Sequence, residues 1–162
     1  MKAFFTILLS ASIGMLAGCG ENTSKPSEQK APTKHEHKPP HGGTPVVLGS
    51  EEHHVELVLN PAEGKMDAYV MDGELENFQR ISAESLRLAV SLSGQQETLL
   101  LKAVPNTATG EKVGDTSMFE AQADWLKTAK SFDAVLEEIE VGGTTYTNVE
   151  FNFPKGNDKD EK

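Results

Sequence analysis

From residue 55 onward the chain alternates apolar and polar side chains. Val55, Leu57 and Leu59 recur at every second position, with Glu56 and Val58 between them, as in a half-buried strand. Met66, Ala68 and Val70 resume the alternation after Pro61-Ala62-Glu63-Gly64, which reads as a hairpin turn. Leu86, Leu88, Val90 and Leu92 alternate with Arg87, Ala89 and Ser91 and stop at Ser93-Gly94. Leu99, Leu100 and Leu101 form the next run, ended by Pro105-Asn106. Further on, Met118, Glu120 and Gln122 oppose Phe119, Ala121 and Ala123. Val135, Ile139 and Val141 lead through Gly142-Gly143 to Tyr146, Val149, Phe151 and Phe153. A spacing of about ten residues between such runs predicts an all-β fold, a single antiparallel β-sandwich or open barrel of about seven to eight strands. At most one or two short helical turns fit, the first over ADWLKTAK, residues 123–130. Residues 135–140 also admit a helical reading beside the strand one, because Leu136 and Ile139 are three apart.

The first 40 residues follow a different rule. MKAFFTILLSASIGMLAGCG has one base, Lys2, and then an apolar run of roughly 15 residues, short of the ~20 that span a bilayer as a helix. The run ends in Leu16-Ala17-Gly18-Cys19, and this stretch resembles the bacterial lipoprotein signal with its lipobox. The resemblance implies cleavage before Cys19, acylation of Cys19, and a lasting membrane anchor through more than one acyl chain. Gly20 in place of an aspartate implies, by the same resemblance, an outer-membrane location facing the periplasm. Cys19 is the only cysteine of the chain, so its acylation leaves no thiol for a disulfide or a zinc thiolate site.

ENTSKPSEQKAPTKHEHKPP, residues 21–40, contains four prolines and no apolar side chain except Ala31. Such a segment buries too little surface to offset the entropy of ordering, so it reads as a spacer. The organisation expected is a signal peptide over 1–18, acylated Cys19 and spacer over 19–40, a β domain over 41–154, and a solvated tail over 155–162. Charge narrows the function classes. Lys and Arg number 15 against 25 Asp and Glu, a net charge of −10, and loss of Lys2 makes the balance more negative. Nucleic acid and anionic lipid are repelled by such a surface, and cations are attracted.

Enzyme signatures are missing: there is no GxSxG, no glycine-rich phosphate loop, no HExxH and no cysteine nucleophile, so the expectation is a binding protein. The candidate chemistry lies in HEHKPPHGGTPVVLGSEEHHVEL, residues 35–57, which holds all five histidines. His35 and His37, one residue apart, project the same way in extended chain. His41 precedes Gly42-Gly43, which free the backbone to bring its ring back toward the chain. His53 and His54 begin the first strong strand among Glu51, Glu52 and Glu56. Imidazoles suit copper and zinc, and short histidine-rich tracts point to metal binding. The plainer readings are a polar tether for His35 and His37, and a hydrogen-bonded core-edge side chain for His53. Adjacent strand residues face opposite sides. His53 shares parity with Val55 and Leu57, which places it inward and leaves His54, with Glu56, on the exposed side.

His41-Gly42-Gly43, Val47-Leu48-Gly49, His54-Val55-Glu56-Leu57-Val58 and Ala68-Tyr69-Val70-Met71-Asp72 together resemble a pattern of small bacterial secreted and lipid-anchored proteins. Similar stretches stand close to, or fused with, adaptor proteins of heavy-metal efflux systems. The resemblance covers residues 41–72. It implies a periplasmic β domain in a metal-related setting, with an efflux adaptor as partner and His41 and His54 as the corresponding positions. The reading is a lipid-anchored envelope protein that binds or passes Cu or Zn near the junction of spacer and sheet. His41, His54 and His53 are the candidate ligands, and His35 and His37 an auxiliary pair. The competing reading is a structural or protein-interaction lipoprotein with no metal role.

Overall fold

The structure, a computed structural model, describes residues 38–158. The expected signal peptide, Cys19, His35 and His37 lie outside the described residues. Eight strands form where alternation or a flanking turn demands them: β1 Thr44–Leu48, β2 His53–Asn60, β3 Lys65–Asp72, β4 Ser85–Leu92, β5 Gln95–Ala103, β6 Met118–Gln122, β7 Phe132–Val141 and β8 Thr144–Phe153. All pair antiparallel in one sheet, in the order β1-β2-β3-β6-β5-β4-β7-β8. The sheet curls until β1 and β8 approach each other, a nearly closed barrel. The helical turn expected over residues 123–130 is a 3₁₀ turn, Asp124–Lys127, and a second one spans Thr107–Thr109.

The inward side chains make one core. Val46, Leu48, Val55, Leu57, Met66 and Val70 from one wall meet Leu86, Leu88, Val90, Leu101, Phe119 and Leu136 from the other, all essentially inaccessible. Each such side chain contributes roughly 1.5–3 kcal/mol by leaving water. Trp125 meets Phe132 edge-on at 5.4 Å and Phe132 stacks on Phe153 at 5.1 Å. In β7 the inward set runs Phe132, Ala134, Leu136 and then shifts to Ile139 and Val141. Opposite the shift, Asn148 of β8 takes the left-handed φ of 52°, and the inward set there changes from Tyr146 to Phe151 and Phe153. This paired break produced the helix-like spacing of Leu136 and Ile139.

Two expectations are corrected. The tail does not begin at 155: Gly156 is buried and exchanges two main-chain hydrogen bonds with Asn152, at 2.7 and 3.1 Å. Thr44 Oγ1 donates to the Pro154 carbonyl at 3.2 Å. The Asn157 carboxamide accepts from the Val47 amide at 2.7 Å and donates to the Val47 carbonyl at 3.1 Å. A short carboxamide thereby supplies one rung of a β-ladder, and Pro45, with no N–H, blunts the same edge two residues earlier. Secondly, His54 is not exposed: it is 2 % accessible and Glu56 is 0 % accessible. Alternation placed both correctly on the face away from the core, but that face is itself covered, by residues 38–43 and by the loop after β3.

Candidate functional site

The covered outer face of β2 is where the candidate residues meet. Gly42 turns the chain with a φ of 68°, and its amide donates to the Pro39 carbonyl at 3.1 Å. Gly43 then lies flat on β2: a Cβ there would fall 2.5 Å from the Leu57 carbonyl and 2.9 Å from Glu56 Cγ. No side chain fits at 43, which is what the second glycine of HGG supplies.

This approach delivers three donors to one buried carboxylate. Glu56 Oε1 accepts from the His41 amide at 2.9 Å and from the Gly43 amide at 2.8 Å. Oε2 meets His41 Nδ1 at 2.7 Å. A carboxylate removed from water is strongly unfavourable unless hydrogen-bonded, and charge-assisted bonds of this length are the strong ones. An ionised carboxylate can only accept, so opposite ionised Glu56 it is Nδ1 that carries the proton, and Nε2 lies on the far side of the ring. The His41 side chain remains 34 % accessible. Its ring stacks on Tyr69 of β3, centroids 3.9 Å apart and planes 12° apart. Burial raises the Tyr69 hydroxyl above its ordinary value, and the nearby Asp67 carboxylate adds to that.

Phe78 completes the cluster, 5.9 Å from the His41 ring and 6.1 Å from Tyr69, and it is 51 % accessible. Its loop is tied back by Asp72 at the end of β3. Asp72 Oδ1 accepts from the Glu76 and Asn77 amides at 2.9 and 3.2 Å, and Oδ2 from Asn77 Nδ2 at 2.6 Å. Burial pushes the Asp72 carboxyl up, but the Asn77 side chain and the Glu76, Asn77 and Glu74 amides outweigh it and hold it below the usual value. On the buried side, His54 Nδ1 lies 3.3 Å from the Asp72 carbonyl.

His53 faces the other way. Tyr146 donates its hydroxyl proton to Glu52 at 3.1 Å, so His53 Nδ1, 3.0 Å from the same oxygen, donates to it. Thus His41 and His54 share one face of β2 with Glu56, while His53 serves the opposite face. Among the described residues no group of three or more His, Cys, Asp or Glu side chains is placed to hold a metal ion.

The residues that sequence reasoning passed over are Phe78 and the acceptor role of Glu56. Glu56 stood in the quoted pattern, and Gly43 thirteen residues earlier was its signal, since glycine at a close backbone approach implies a strand beneath. Phe78 carried no signal: it lies outside any alternating run. No family model, curated protein or solved structure matches the chain.

Proposed function

We propose that the chain is a lipid-anchored binding module of the bacterial envelope. Acylated Cys19 holds it to the membrane, residues 19–40 space it, and the barrel presents the His41–Tyr69–Phe78 face to a protein partner such as an efflux adaptor. The observation that carries this reading is Phe78, a large aromatic side chain left half accessible yet positioned against two stacked rings. Rigid aromatic side chains of this kind, with a polar atom at hand, dominate the energetics of protein interfaces. A photo-crosslinking residue at position 78 of the full chain, in the producing cell, gives a discrete adduct that competes with unlabelled chain. An adduct pattern no different from that of a probe on the opposite wall, at Leu100, sinks the reading.

A second reading is favoured by the carboxylate behind His41. A ligating histidine characteristically donates its other nitrogen to a carboxylate, which orients the ring and raises its basicity. In this reading His41 Nε2 takes a Cu or Zn ion. Calorimetric titration of the full chain with copper and zinc decides it: heats that are unchanged in a His41→Ala, His54→Ala double variant remove the metal role.

A further inference from the structure

We propose that the open seam between β1 and β8 is a second binding surface, and that it takes an extended basic peptide by strand addition along β8. The barrel's two terminal strands approach without a ladder between them. Between them lies a cavity of about 750 Å³, flanked by Val47 and Gly49 on one side and Thr145–Glu150 on the other. The two edges are not equivalent. The β1 edge is spent, since Pro45 has no N–H and both main-chain groups of Val47 are held by Asn157. Among the described residues the β8 edge has a main-chain partner only at its end, where Asn152 pairs with Gly156.

Main-chain groups along a strand alternate between its two neighbours. Asn152 bonds on the open side, so Glu150, two residues earlier, turns its own N–H and C=O to the same side. The stretch 145–150 is at most about 20 Å long at 3.3–3.4 Å per residue, and left-handed Asn148 breaks its alternation, so an added strand pairs with Thr145 and Thr147 on one side of the break and with Glu150 on the other. Unpaired strand edges of this length are the template for β-augmentation, in which main-chain bonds supply affinity and side chains supply selectivity.

Charge selects the occupant. Among the described residues Glu51, Glu150 and Asp158 line the cavity, and no Lys or Arg does. Glu138 and Glu140 stand exposed across the ladder, opposite Thr147 and Thr145. A second copy of this chain, with a net charge of −10, would bring acid against acid. A peptide with Lys or Arg at alternate positions places its charges among these acids while its main chain pairs with β8.

The full chain, labelled for main-chain amide detection, is titrated with a seven-residue peptide of alternating lysine and valine. Three companions are run: the same peptide N-methylated at alternate residues, a glutamate–valine peptide, and a Glu51→Lys, Glu150→Lys double variant of the chain. The lysine peptide should shift the amides of residues 145–150 and of Val47. The double variant should weaken binding at least tenfold, and the N-methylated and glutamate peptides should fail. Equal binding of the N-methylated peptide would show charge attraction without strand pairing and overturn the proposal. So would shifts centred on another face, absence of binding at millimolar peptide, or a dimer of the chain that occupies the seam. Phe78→Ala should leave the titration unchanged, so failure here and failure of the His41–Tyr69–Phe78 reading are told apart.

Discussion

Glu56 and Asn157 fasten opposite ends of the described chain to the same pair of strands, with opposite chemistry. At the N-terminal side a carboxylate with no accessible surface gathers three donors from residues 41–43. At the C-terminal side a half-buried carboxamide offers one donor and one acceptor to Val47. The carboxylate cannot lose its partners gradually, because water does not reach it and an unsatisfied buried charge is heavily penalised. The carboxamide can, because its site is next to solvent and water replaces either bond. The first fastening therefore holds residues 38–43 in one arrangement, and the second merely blunts an edge.

The largest effect is expected where that contrast is sharpest. Glu56→Ala strands two main-chain N–H groups and the His41 ring donor and leaves a void, and it should lower unfolding stability by about 3 kcal/mol. Denaturant unfolding checks it, and a loss below that of Asn157→Ala would overturn the comparison. His41→Ala removes one charge-assisted bond and the Tyr69 stack but leaves the Gly43 amide on Glu56, so about 2 kcal/mol is expected. Asn157→Ala should give about 1 kcal/mol, since the Val47 groups turn to water. Its signature is local: faster hydrogen exchange at the Val47 amide with the Gly43 amide unchanged.

The same contrast explains what the sequence made legible. Strand β4 declared itself most clearly, because its alternation runs unbroken from Leu86 to Leu92; β2 and β3 showed it over five residues each, and β5 showed only the apolar run Leu99-Leu100-Leu101. β1 did not declare itself: Thr44-Pro45-Val46-Val47-Leu48 is five residues long and contains a proline. Alternation also assigned His54 and Glu56 to the outer face correctly, yet it carries no information about whether that face is covered. The covering pieces, residues 38–43 and 73–79, are rich in Pro, Gly and Glu; they are held by main-chain donors and bound carboxylates, with Leu75 their single buried apolar side chain. The pairing of His41 with Glu56 spans fifteen positions, beyond any local pattern. The quoted pattern contained His41, Gly42, Gly43, Glu56 and Tyr69 among its letters, and a pattern of letters does not say which of them touch. The residues from 155 looked like a solvated end because Lys, Gly and Asn carry no core signal, and an asparagine that imitates a peptide group gives none.

Asp72 supplies the smallest effect and tests the comparison through pH. It ties the loop that carries Phe78, and so holds the covering of Glu56 from the other side, again by a carboxylate accepting from amides. Its carboxyl lies below the ordinary value of 3.8 in the folded protein. The stabilisation linked to it is therefore present above the unfolded value and lost as pH falls through the folded one. Asp72→Asn should destabilise modestly at neutral pH, and the gap from the unaltered chain should close below about pH 4. Hydrogen exchange localises the effect. At the Asn77 amide, protection should fall in acid in the unaltered chain and be low at every pH in Asp72→Asn, once exchange is corrected for its intrinsic pH dependence. The Val47 amide, held by a neutral carboxamide, should show no such acid step. A step of equal size at both amides would mean that the seam and the covered face open together, and that the two fastenings belong to one cooperative unit.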